Sequence, residues 1–206
     1  MTDRFGWWRA LLVAPICAAV VAGCSGDDAG PAAVDPPSTA READRSCSGE
    51  PTRPQAEGPF FSDDAPRKSD PARDVDDEGT VATISGTVFG ADCRPRGGVR
   101  VDVWQTDADG EYDNRGYRLR GHQLTDRDGT YRFRTILPGE YTGRTEHIHV
   151  KIRERIDGEE LLTTQLYVPG LSSAEADIGL YDDENLLTVV DENSDPRRYR
   201  FDFMLP

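Results

Sequence analysis

The residues best equipped for chemistry fall in one short run, Tyr141-Thr142-Gly143-Arg144-Thr145-Glu146-His147-Ile148-His149. In an extended strand side chains alternate faces, so His147 and His149 share one face while Ile148, Val150 and Ile152 share the other. Two of the chain's three histidines are then neighbours. Apolar packing behind and two imidazoles in front is how a β-scaffold presents a transition metal, and Tyr141 and Arg144 add an anionic oxygen ligand and a fixed cation. The set reads as an iron site. A His-x-His pair on its own is more often the polar face of a half-exposed strand, so the surrounding chemistry has to decide.

That run belongs to a chain of 206 residues with a formal net charge of −14. The length suits one domain with a substantial core. So acidic a chain, with no basic cluster to offset it, argues against a nucleic-acid partner, whose phosphates it would repel. Residues 1–23 read as a leader: Arg4 and Arg9 flank Trp7-Trp8, and Ala10 to Val21 is an almost unbroken apolar run, too short for a stable bilayer span. Val21-Ala22-Gly23-Cys24 resembles the lipobox of bacterial lipoproteins, in which cleavage exposes a cysteine whose thiol carries diacylglycerol. An ordinary cleaved signal with a chance cysteine is the alternative. The expected product is an exported lipoprotein held to the outer side of the cell membrane through Cys24. Cys17 leaves with the leader, and in an exported chain the remaining Cys47 and Cys93 are expected to pair.

Residues 24–46 are rich in Gly, Ala, Pro, Asp and Ser without apolar period, which predicts a disordered tether spanning roughly 25 Å. Residues 47–206 form the domain. It begins with an extended arm, Gln55-Ala56-Glu57-Gly58-Pro59-Phe60-Phe61 and then an acidic, proline-broken stretch through Asp76-Asp77-Glu78-Gly79, with Phe60 and Phe61 as its anchors. Strands are expected over Val81 to Phe89, Val99 to Trp104, Tyr131 to Ile136, the histidine stretch, Leu161 to Val168, Leu186 to Val190 and Tyr199 to Phe203. Two cassettes of like wording, Thr106-Asp107-Ala108-Asp109-Gly110 and Thr125-Asp126-Arg127-Asp128-Gly129, read as tight turns of the hairpin type. Neither ends in the bidentate glutamate of a calcium loop. A short helix is expected over Ala174 to Leu180. The fold class is all-β, an antiparallel β-sandwich with an extended N-terminal arm and little helix.

Taken in order, Gly86-Thr87-Val88, Val103-Trp104-Gln105-Thr106-Asp107-Ala108-Asp109-Gly110-Glu111-Tyr112, the run from Thr125 to Ile136, Pro138-Gly139-Glu140-Tyr141 and His147-Ile148-His149 resemble the intradiol ring-cleavage dioxygenases. The likeness runs from about Glu57 to Val168, and Glu57-Gly58-Pro59-Phe60 with Tyr141-Thr142-Gly143-Arg144 is nearer the secreted branch than the cytosolic enzymes. It implies a prealbumin-like core and one mononuclear Fe(III) per chain, held by two tyrosinates and two histidines, here Tyr112, Tyr141, His147 and His149. Such a set suits a hard cation, since two phenolates and a hydroxide neutralise its charge in a pocket of low dielectric. It further implies that a small aromatic diol and O2 are the substrates, that the ring opens between the hydroxylated carbons to a muconate-type diacid, and that Tyr141 doubles as a base. Arg144 matches an arginine that stabilises carbanion character on the ring, and Gln165 a glutamine lining the same pocket.

Two departures stand out. Tyr141 and His147 are closer in sequence than in protocatechuate-type enzymes, which predicts a more open pocket, and no helical segment precedes the domain of the sort that joins cytosolic dimers. Two other readings stay open. The repeated strand, glycine-turn and Pro-Gly-Glu-Tyr pattern also resembles metal-free transthyretin-like and carboxypeptidase-regulatory-like modules, and a member of the dioxygenase family could bind iron without turnover.

Overall fold

The computed structural model describes residues 47, 49–75, 79–141, 143–170 and 183–206. The expected leader, Cys24, the tether and the helix over 174–180 lie outside them. Among the described residues nine strands follow one another: β1 (Val81–Phe89), β2 (Arg100–Gln105), β3 (Arg120–Leu124), β4 (Thr130–Ile136), β5 (His147–Arg153), β6 (Glu160–Tyr167), β7 (Thr188–Asp191), β8 (Arg197–Arg200) and β9 (Phe203–Met204). Among the described residues, helix is limited to the 3-10 turns Pro71–Asp74 and Asp183–Asn185.

The strands form two sheets, ordered β3-β2-β5-β6 and β4-β1-β8-β7, with β9 also pairing β1. Their inner faces share one core: Ile84, Phe133, Tyr199 and Phe203 from one sheet meet Val101, Val103, Ile148, Val150, Ile152 and Leu166 from the other. The sandwich is as the strand pattern predicts. The first sheet is antiparallel throughout, whereas the second is mixed, because β8 and β9 run parallel to β1. The glycine inside β1 explains how both can dock there. A Cβ at Gly86 would lie 1.7 Å from the Phe201 carbonyl oxygen, so only glycine lets the chain between β8 and β9 come close enough for the Phe201 N–H to donate to the Ser85 carbonyl at 3.0 Å.

Two features differ from the sequence pattern. β3 (Arg-Gly-His-Gln-Leu) has no apolar alternation to announce it; it forms because β2 offers a free edge and because the arm covers it, with Lys68 N–H donating to His122 O at 2.9 Å and His122 N–H to Pro66 O at 3.0 Å. The Asp-x-Asp-Gly cassettes are turns, but neither closes a hairpin. Asp126 Oδ1 accepts the N–H groups of Asp128 and Thr130, each at 2.9 Å, and the turn carries the chain from β3 in one sheet to β4 in the other. Asp107 Oδ1 likewise accepts from Asp109 at 3.1 Å and Glu111 at 2.9 Å, opening the long excursion between β2 and β3. The aspartate sets the local turn, and burial of opposite faces decides which sheet receives the next strand.

Cys47 and Cys93 are joined by a disulfide, with Cα atoms 5.8 Å apart, tying the residues ahead of the arm to the loop between β1 and β2. Its loop, spanning a separation of 46 residues, restricts the unfolded chain. Reduction should therefore lower the unfolding free energy by about 2–4 kcal/mol, read as a reduced urea midpoint, with a steeper slope because the unlinked chain unfolds to a more expanded state. An unmoved midpoint would show that the link contributes nothing.

Candidate metal centre

On β5 the alternation that sends Ile148, Val150 and Ile152 into the core sends His147 and His149 to the opposite face. That face is not open. His147 and His149 are 4% and 3% exposed, because the arm lies across them. Gln55 N–H donates to Thr163 O at 2.9 Å, Gln165 Nε2 donates to Ala56 O at 2.7 Å, and Gly58 covers His149 Cε1. Lys151, buried on β5, pairs with Glu57 and with Glu160, and its ammonium sits 4.1 Å from the centre of the Phe61 ring.

Both tyrosines arrive on loops from elsewhere in the sandwich. The first Asp-x-Asp-Gly turn packs against Pro138-Gly139-Glu140: Gly139 N–H donates to Asp107 O at 2.7 Å, and a Cβ at Gly110 would lie 2.0 Å from Glu140 O. That close approach brings Tyr112 and Tyr141 edge to face, with ring centres 5.4 Å apart. Phe60 stacks on Tyr112 at 4.2 Å and meets Tyr141 edge-on at 5.4 Å.

Three donor atoms converge. Tyr112 Oη lies 3.0 Å from His149 Nε2 and 3.4 Å from His147 Nε2, and the two Nε2 atoms are 3.1 Å apart. Donors about 2.0–2.1 Å from one ion, at angles of about 90–110°, stand about 2.9–3.4 Å from each other. His147 Nδ1 donates to Thr145 O at 2.6 Å, which fixes the ring and aims its Nε2 at the other two donors. Burial, reinforced by His147, Arg144 and Arg120, holds the pKa of His149 well below its usual value, which favours its neutral, metal-binding form. Two imidazole nitrogens and a phenol oxygen gathered this closely match the donor spacing around one bound cation. Burial also pushes the Tyr112 phenol above its ordinary pKa, against the pull of Arg144 and Arg120, so a further positive charge is needed to make it a phenolate. Among the described residues no three of His, Cys, Asp and Glu converge, so a metal here must take phenol oxygen, which suits a hard ion such as Fe(III).

The other expected residues surround this point. Arg144 follows a closed turn, its N–H donating to Tyr141 O at 2.8 Å, which accounts for the short spacing before His147. Its Nη2 donates to Gln165 Oε1 at 2.7 Å, and Gln165 faces His149 across β5 and β6. Tyr167 Oη donates to Gln55 Oε1 at 2.7 Å and lies 3.2 Å from Gln165 Oε1. Two groups escaped the sequence reading. Arg120, 2% exposed, reaches the carbonyls of Asp113 and Phe60 and places a second cation near Tyr112; nothing in the irregular pattern of β3 marks it. Trp104, assigned no role at the site from the sequence alone, lies opposite His149 on β2, a placement that its alternation with Val103 does imply.

The Dioxygenase_C family model, described as Dioxygenase, matches residues 56–206. Catechol 1,2-dioxygenase from Acinetobacter baylyi is 29% identical over 168 residues, covering 68% of this chain and 53% of that enzyme. Chlorocatechol 1,2-dioxygenase from Cupriavidus pinatubonensis is 32% identical over 143 residues, covering 57% and 54%. The chain thus spans about half the length of these relatives. The solved dioxygenase domain of a dioxygenase carbohydrate-binding protein fusion from Streptomyces sp. SirexAA-E superposes with a TM-score of 0.69 at 43% identity, covering 76% of this chain and 98% of that domain. With its two-sheet sandwich and a family match that takes in the arm from Ala56 onward, the chain belongs to the dioxygenase family, among the intradiol ring-cleavage dioxygenases.

Proposed function

We propose that this chain is an exported, lipid-anchored Fe(III) dioxygenase that cleaves catechol-like aromatic diols between their two hydroxylated carbons, giving muconate-type diacids. The observation that carries the proposal is the convergence of Tyr112 Oη, His147 Nε2 and His149 Nε2 to within 3.0–3.4 Å of one another, beside Tyr141 and Arg144. Relatives named for catechol and chlorocatechol support the substrate class. The leader supports export, as does the Cys47–Cys93 disulfide, since such bonds persist outside the reducing cytosol.

In this reading Tyr112, Tyr141, His147 and His149 hold the metal. A ferric ion bound there supplies the Lewis acidity that stabilises both deprotonated oxygens of a diol and makes its ring reactive to dioxygen. Tyr141 Oη receives a proton from a substrate hydroxyl. The Arg144 guanidinium, fixed by Gln165 Oε1 at 2.7 Å, stabilises negative charge that builds on the ring, and Gln165 is itself fixed by Ala56 O. Phe60 and the rest of the arm keep water from the phenol and imidazole donors, so that these charges act in a medium of low dielectric.

Three outcomes follow. Protein reconstituted with ferric salt should turn red-brown through tyrosinate charge transfer and convert catechol or hydroxyquinol under oxygen to a product with muconate absorbance; Tyr112→Phe should change the colour. Colourless protein that takes up no iron would defeat the reading. Arg144→Ala should keep the colour while turnover falls by about 100-fold, and full activity in that variant would remove Arg144 from the mechanism. Cys24→Ser should release the protein from the membrane fraction, whereas continued membrane retention would argue against the lipid anchor.

A further inference from the structure

The two histidines of the centre are held in different ways. His147 is fixed by its hydrogen bond to Thr145 O at 2.6 Å, the usual arrangement for an imidazole that must aim its other nitrogen at a metal. His149 has no such bond: its Nδ1 is buried and meets no hydrogen-bond partner among the described residues. What it has is a flat neighbour. The indole of Trp104, 2% exposed, lies parallel to the imidazole, with ring centres 4.8 Å apart and planes inclined by 7°. Phe61 backs the indole at 4.9 Å, while Gly58 of the arm closes over His149 Cε1.

The indole's polar end strengthens the argument. A buried tryptophan N–H ordinarily finds an acceptor, yet Trp104 Nε1 has none among the described residues. Hydrogen bonding therefore does not explain an indole at this position, and its face does. Rotation of His149 about its Cβ–Cγ bond would swing the ring edge into Trp104 and turn Nε2 away from Tyr112 Oη, 3.0 Å distant.

We infer that Trp104 is the positioning residue for His149, fixing by stacking the imidazole plane that a hydrogen bond fixes for His147. The inference rests on the proposed ferric centre. It is tested on iron-loaded full-length protein by iron retention against a competing chelator and by the position of the tyrosinate charge-transfer band. Trp104→Leu should weaken iron retention about 10–100-fold, the range for losing a group that orients a metal ligand, and should move the band. Trp104→Phe, which keeps a flat ring, should recover most of both. Trp104→Met, flexible and apolar, replaces Trp104→Leu if that variant does not fold. Val103→Ala is the control, since it opens a void of the ordinary kind on the opposite face of β2 and should lower the melting temperature of metal-free protein without moving the band. Unchanged retention and band in Trp104→Leu, or an equal band shift in Val103→Ala, overturns the inference alone. Wild-type protein that takes up no ferric ion overturns it together with the proposed function.

Discussion

Burying the histidine-bearing face of β5 is the constraint on which the rest of the site depends. A sandwich strand normally has one dry face and one wet face, and imidazoles on a wet face are simply hydrated. Here the arm from Gln55 to Phe61 covers the second face, so that β5 is buried from His147 to Ile152. Water can no longer satisfy the nitrogens and the phenol, and each must find a partner or bind an ion. The arm is thus part of the centre. It contributes Ala56 O to Gln165, Gln55 to Tyr167, Gly58 to His149 and Phe60 to both tyrosines.

Charge is arranged against the overall trend of the molecule. The chain carries −14, yet the charges that act on Tyr112 are those of the cations Arg144 and Arg120. A site that must stabilise phenolates and a deprotonated diol needs local positive potential, and burial makes two guanidinium groups count for more than many solvated carboxylates outside. Arg120 is held by the backbone carbonyls of Asp113 and Phe60, which fix the position of its charge, with the Asp113 carboxylate acting on it as well.

Much of this was legible in the residues. Alternation alone put His147 and His149 together and Val150 behind them, and the resemblance to the intradiol dioxygenases implied Tyr112, Tyr141, Arg144 and Gln165 as their companions. Some of the reading needed correction. The second Asp-x-Asp-Gly cassette has the wording of a hairpin and is a crossing between sheets, because its aspartate specifies a turn and says nothing about which strand the next one will pair with. β3 was invisible, since Arg120, His122 and Gln123 are drawn into a strand by the edge of β2 and by the arm. Arg120 was lost with it.

What the sequence determined by itself is local: which side of a strand each residue faces, where the chain must turn, and which residues carry donors for a hard cation, all consequences of backbone geometry and side-chain chemistry over a few residues. What only the tertiary structure decided is convergence and dryness. Tyr112 reaches His149 because the Gly110 turn nests against Glu140, and the imidazoles lose water because the arm folds over them. Both depend on contacts between segments far apart in the chain, whose free energy comes from shape and burial of surfaces that local periodicity does not encode.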